Sequence, residues 1–187
     1  MPFTPLHMGP GILIKSILQG SFSLMVFGWT QIVMDLQPLF VMLTGEGHLH
    51  GFSHTYIGAS LIALFSALSG KYLSELGLKI LGINHKQGIL LTQKSLPKST
   101  MLANHEHSIT IVWLVAFFSA FVGSFSHVFL DSIMHTDVEP FFPFTLNNYF
   151  HGLISIEALH KLCLYSGLFG AAIYFILQWR MNLKKPQ

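Results

Sequence analysis

The sequence predicts an all-α fold, a polytopic membrane helical bundle of three to four spanning helices, with a short N-terminal helical hairpin as one reading of its first segment. Three observations lead there. Of the 187 residues, 51% are hydrophobic and only 10% are charged, whereas a soluble domain carries about a quarter charged residues. Four apolar stretches recur along the chain, and a spanning helix needs about 20 mainly apolar residues. Lysine and arginine are clustered, with long stretches between the clusters that hold neither. The length suits one integral membrane domain over residues 1–187.

The first stretch, residues 11–34, GILIKSILQGSFSLMVFGWTQIVM, reads in two ways. Gly20-Ser21-Phe22-Ser23 can turn the chain, with Ser21 or Ser23 capping a second helix. That gives short helices over 10–19 and 22–34 and brings His7 and Asp35 to the same end. A single span would hold those two residues about 40 Å apart, at a rise of about 1.5 Å per residue. Ahead of this stretch, MPFTPLHMGPG has no basic n-region and no A-x-A site follows, so no cleaved signal peptide is expected.

The second stretch, TYIGASLIALFSAL at 55–68, reaches spanning length only if its helix runs on past Lys71. The third (108–134) and fourth (152–179) exceed that length. Residues 71–107 carry Lys71, Lys79, Lys86, Lys94 and Lys98 together with the turn-rich QKSLPKST, and read as a basic polar loop.

Orientation follows from the basic residues. None lies between 16 and 70 or between 99 and 160, while Arg180, Lys184 and Lys185 close the chain. The positive-inside rule then places the 71–107 loop and the C-terminus in the cytoplasm. The opposite, outward-facing end collects Asp35, His48, His50, His54, His127, Asp131, His135 and Asp137. Polar chemistry and topology, read separately, point to one end of the bundle.

That end can bind a metal. In HVFLDSIMHTD (127–137), His127, Asp131 and His135 recur every four residues, the spacing of one helix face, and Asp137 falls just past the helix end. His50 and His54 in HLHGFSHT repeat the four-residue spacing, with His48 beside them. A mixed imidazole and carboxylate set without sulfur fits Zn2+ or Mn2+. The competing reading of the same residues is a buried polar network tying helices together. His85, His105, His107 and His151 read as ordinary structural histidines. Glu157 and His160 are either a pair supporting the ligands from behind or a link between helices. PFFPF reads as an interfacial aromatic belt.

Other functions are disfavoured. A net charge of +2 gives no reason to expect a nucleic-acid partner, and the single cysteine, Cys163, excludes a disulfide framework or a cysteine-rich zinc site. GFSHT is not a G-x-S-x-G elbow, and there is no glycine-rich phosphate loop.

The blocks MPFTPLHMGPG, QIVMDLQPL, LHGFSHTYIGA, SFSHVFLDSIMH and GLISIEALHKLC together resemble an uncharacterised bacterial inner-membrane family of predicted membrane-bound metal-dependent hydrolases. They cover most of the chain outside 71–107. More remotely, the order His7, Asp35, His50 or His54, His127-x-x-x-Asp131, His135 is similar to the ligand order of the zinc-dependent phospholipase C and P1-type nuclease group, an all-helical group that binds a cluster of zinc ions. Two departures stand out. The closing His-x-x-x-Glu/Asp pair of that group is replaced by Glu157-x-x-His160, in reversed order, and Gln37 stands where relatives often have a second carboxylate after Asp35.

The resemblance implies one or two Zn2+ or Mn2+ ions, with His7, Asp35, His50, His54, His127, Asp131 and His135 as metal ligands, Asp35 or Asp137 as general base, and His48, Glu157 and His160 in support. It implies hydrolysis at the outer membrane face, with a membrane lipid, specifically a phosphoester lipid, as partner and substrate. The alternative is a non-catalytic metal-binding membrane protein, a sensor or scaffold.

Overall fold

The computed structural model describes residues 5–80 and 104–183. Among these the secondary structure is helical, with no strand. The first apolar stretch is a hairpin. Helix α1 (Met8–Leu18) and helix α2 (Leu24–Met34) are joined by a short turn over Gln19–Ser21. Gln19 adopts φ 46°, which stops α1. Lys15 Nζ then donates to Gln19 O at 2.7 Å and Phe22 O at 2.8 Å, which satisfies carbonyls that the reversal leaves open. Ser23 caps α2, its Oγ accepting from Val26 N at 3.3 Å, while its own N–H donates to Ser119 Oγ at 2.8 Å. These contacts favour reversal over a straight span and bring His7 and Asp35 to one end.

The first stretch also runs further than its apolar pattern indicates. After a break at Asp35 the chain re-enters a helix, α3 (Leu36–Thr44), which ends at Gly45 in the left-handed conformation with φ 75°. Pro38 accounts for the break: it lacks the N–H that would reach back to Met34, and its place in the first turn of α3 costs no bond. Residues Leu24–Thr44 form a run long and apolar enough to span.

Helix α4 (Tyr56–Ile80) continues well past Lys71, whose ammonium sits 4.2 Å from the Trp113 ring centroid. Helix α5 spans Asn104–Met134 and helix α6 spans Ile156–Leu183. The expected loop at 71–107 is therefore helical at both ends, because α4 and α5 extend into it. Its centre, residues 81–103, lies outside the described residues, as does His85.

Among the described residues, four helical runs are long and apolar enough to cross a membrane: Leu24–Thr44, Tyr56–Leu73, Trp113–Met134 and Ile156–Arg180. Helices α2, α4 and α5 pack around Val26, Ala63, Ala67, Ala116 and Ala120. Such small side chains let backbones approach closely where lipid offers no hydrophobic drive to associate. The α1–α6 crossing uses the same device. A Cβ on Gly9 would collide with Cys163 O, and one on Gly170 would lie 2.6 Å from Leu13 Cα. The rest of α6 is open, with Leu168, Phe169, Phe175 and Trp179 exposed. A second small cluster, Met34, Ala59 and Val128, sits directly beneath the end where the polar residues gather.

Candidate metal centre

Five segments deliver polar side chains to that end. His7 precedes α1. Asp35 sits at the break between α2 and α3, so its carboxylate is set against the bundle rather than along a continuous helix. His50 and His54 come from the irregular segment between α3 and α4. Helix α5 supplies His127 and Asp131, and the chain beyond it supplies His135 and Asp137.

The inner group is Asp35, His54, His127 and Asp131, each offering one ligand atom within 4.8 Å of the others. His54 Nε2 and His127 Nε2 both lie 3.2 Å from Asp131 Oδ2, and His127 Nε2 lies 3.4 Å from Asp35 Oδ1. All four residues are buried, His54 and His127 at 0% and 1% exposure. Neither Nε2 has a hydrogen-bond partner. Buried polar atoms are ordinarily paired, and two imidazole nitrogens converging on two carboxylates could hold a cation. The spacing fits one. With metal–ligand bonds of about 2.1 Å, the edge of a ligand tetrahedron is about 3.4 Å, close to the nitrogen–oxygen separations here.

The other ring nitrogens are held from behind. His127 Nδ1 lies 2.7 Å from Gln31 Oε1, and Gln31 Nε2 donates to Gly123 O at 2.9 Å. The amide is thus oriented by Gly123, its oxygen must accept, and His127 carries its proton on Nδ1. His54 Nδ1 lies 2.9 Å from Ser53 Oγ. Ligating histidines characteristically donate their far nitrogen in this way. Gln37 steadies the segment that carries His54: its Oε1 accepts from Ser53 N at 2.9 Å, and its amide lies so close to Gly51 that a Cβ there would collide with it.

His7 joins the inner group from the side. Its Nε2 is 3.6 Å from Asp131 Oδ1 and its ring is 5.0 Å from that of His127. Both its nitrogens are buried without a partner. Burial pushes its pKa down to about 4, against the pull of Asp131, and burial likewise lowers His54. Both rings are therefore neutral at neutral pH, the form that ligates.

The outer group is His50, His135 and Asp137, again within reach of a single ion. His50 Nδ1 and Asp137 Oδ2 are 2.9 Å apart, and the His50 and His135 rings stack at 4.4 Å and 28°. Burial, with His50 alongside, lowers the pKa of His135. Burial opposes ionisation of Asp137, but the His50 bond outweighs it and holds the carboxyl below its usual range. The two groups abut, the His50 and His54 rings lying 5.0 Å apart.

The structure thus gathers His7, Asp35, His50, His54, His127, Asp131, His135 and Asp137, but sorts them into two adjoining sets. His135 does not share the inner set with His127 and Asp131, because α5 ends at Met134 and its ring turns onto His50. His50 and His54 are not on a helix face; a 3-10 turn over Phe52–His54 brings them together. His48 is exposed. Glu157 is exposed and its carboxylate accepts from Lys161 Nζ at 2.6 Å, away from the cluster. His160 is half-buried and near enough to His7 to disfavour its protonation. Gln31 and Ser53 are functional residues beyond those the sequence pattern singles out, and Gln37, which the pattern marks only as a departure, has a supporting contact of its own. Gln31 carried a signal, being a polar residue one helical turn before Asp35 in an apolar run. No family model, curated protein or solved structure matches the chain.

Proposed function

We propose that the chain is a membrane-bound metal-dependent hydrolase whose site faces the non-cytoplasmic side of a bacterial inner membrane and acts on a phosphoester lipid. One observation carries this reading: the orphaned Nε2 atoms of buried His54 and His127 converge on Asp131, and that of His127 also lies against Asp35. Zn2+ or Mn2+ held there would polarise the attacked oxygen and supply a water whose pKa is lowered towards about 7. His54, His127, Asp131 and Asp35 would hold the ion, with His7 beside them, its Nε2 3.6 Å from Asp131 Oδ1. Asp137, ionised and with its side chain 46% exposed, can take a proton from water at the open edge, while His50 holds it in place. The resemblance of the sequence blocks to predicted membrane hydrolases supports the reaction class, and the position of His50, His54, His135 and Asp137 outside the apolar runs supports a substrate at the head-group level.

One observation favours a second reading, a non-catalytic metal sensor or scaffold. Four protein ligands in a closed shell are the mark of a structural zinc site, whereas catalytic sites keep a position open. Here the inner set is fully buried, and only the outer set, with Asp137 and His135, opens outward.

Elemental analysis of the detergent-purified protein tests the metal, and phosphoester hydrolysis by the same sample tests the reaction. One or two zinc or manganese ions per chain are expected, lost in both His127→Ala and Asp131→Asn while each variant stays folded. Bound metal without hydrolysis of any lipid phosphoester selects the sensor. No metal after reconstitution at neutral pH, with variants that fail to accumulate, selects a buried polar network.

A further inference from the structure

A groove of about 520 Å³ runs along the outside of the bundle between α1, α2 and α4, lined by Met8, Met25, Gly28, Trp29, Ile32 and Leu73 among others. Its walls are apolar. The polar atom of Trp29 is already used, Nε1 donating to Ser69 Oγ at 2.9 Å. The groove opens to the surroundings, since Met25 is 61% and Ile32 is 44% exposed. Its α2 and α4 walls belong to the runs Leu24–Thr44 and Tyr56–Leu73, so the medium it opens to is hydrocarbon. Glycine makes its floor: a Cβ on Gly28 would lie 3.2 Å from Met8 Cε, and one on Gly70 would lie 3.3 Å from Trp29.

Two of the groove's lining residues, Met8 and Ile32, stand close along the chain to His7 and Asp35 of the candidate metal centre. Met8 directly follows His7, and Ile32 lies three residues, about 4.5 Å of helix, before Asp35. Leu24, at the other end, lies a further eight residues, about 12 Å, along α2. A channel that starts beside the ligands and runs inward parallel to the helices has the direction of a lipid chain whose head group is at the surface. We propose that this groove seats one acyl chain of the phosphoester lipid, with the chain's carboxyl end at Met8 and Ile32 and its methyl end at Leu24 and Leu73. That this lipid is the substrate rests on the hydrolase reading above; the seating of the chain does not.

The test is photo-crosslinking in phosphatidylglycerol nanodiscs. The probe is phosphatidylglycerol with a diazirine placed either next to the acyl carboxyl carbon or at the methyl end. The first probe should label Met8 and Ile32, and the second Leu24, Met25 and Leu73. Each should exceed labelling of Leu168 and Phe169, on the open face of α6, by about tenfold, the ratio that a site preferred by ~1.4 kcal/mol would give. Gly28→Val fills the floor against the mobile end of Met8, and Ile32→Trp fills the groove from its rim without disturbing a buried contact; each should reduce groove labelling towards the α6 level. Equal labelling of the α2 and α6 faces would mean ordinary surrounding lipid. A reversed order of the two probes, or no groove labelling because another segment or a second copy of the chain fills it, would also overturn the proposal. Metal content measured on the same sample separates the two ideas. Metal without groove labelling leaves the hydrolase standing and removes the acyl seat, whereas labelling without metal does the reverse.

Discussion

Gln31 is a residue whose value shows only in three dimensions. Its Nε2 is committed to Gly123 O, which leaves Oε1 to accept from His127 Nδ1 and turns the lone pair of His127 Nε2 towards Asp131 and Asp35. Gln31→Leu should keep the fold but lower metal affinity by about 10–100-fold, the usual cost of losing such a support. Gln31→Glu, which keeps an acceptor, should recover most of it. Titration against a metal-buffering chelator measures both. Unchanged affinity in Gln31→Leu would mean that His127 does not bind through Nε2. The i, i+4 pattern foretold that His127 and Asp131 meet, and they do, at 3.2 Å. It could not foretell where His135 goes, because that ring lies past the last helical residue, where the face rule stops applying.

At the scale of elements, the segment between α3 and α4 is the one on which the centre depends. It has no regular ladder to hold it, so Gln37, the Phe52–His54 turn and the bond from Tyr56 N to Pro140 O, at 2.9 Å, hold it instead. Gly51→Ala places a methyl group against the Gln37 amide. The expected result is a loss of about 1–3 kcal/mol of stability, the range for overpacking, together with reduced metal occupancy, because His50 and His54 shift with the loop. Thermal melts with and without chelator separate the two effects. Gln37→Ala should lower occupancy without the overpacking. If Gly51→Ala bound metal as the parent does, Gln37 would have no part in positioning the ligands. The N-terminal hairpin was legible as an option because Gly20 to Ser23 hold turn and cap residues. It became definite through Lys15 and Ser119, which only the folded chain brings to the turn. Helix α3 was not legible, because Asp35, Gln37 and Pro38 interrupt the apolar run, and a break within a helix looks like an end.

For the whole molecule, the basic residues predict that the end carrying the candidate metal centre faces outward and the end of α6 faces the cytoplasm. Single cysteines test this in a Cys163→Ser background. In intact cells a membrane-impermeant thiol reagent should label Glu46→Cys, and it should label Arg180→Cys only after the membrane is opened. Both positions are exposed, so accessibility rather than burial decides the outcome. The reverse pattern would put the metal centre on the cytoplasmic side and remove the outer-face hydrolase. The open face of α6, with Leu168, Phe169, Phe175 and Trp179 exposed, is what a helix against lipid requires, since lipid is as apolar as the side chains it meets.

Composition and periodicity by themselves determined that this protein is a helical membrane bundle and that its polar chemistry gathers at one end, because continuous apolar runs of about 20 residues satisfy their backbone in hydrocarbon as helices and hydrocarbon penalises stray charge. They also named most of the residues that meet there. Only the tertiary structure decided that these residues form two adjoining sets, that the hairpin reading of the N-terminus holds, and that Gln31, Gln37 and Ser53 stand behind the ligands. The physical reason is that ligand geometry is set by contacts between segments far apart in sequence. His127 meets Gln31 across 96 positions and His50 meets Asp137 across 87, and no local pattern encodes a meeting at that range.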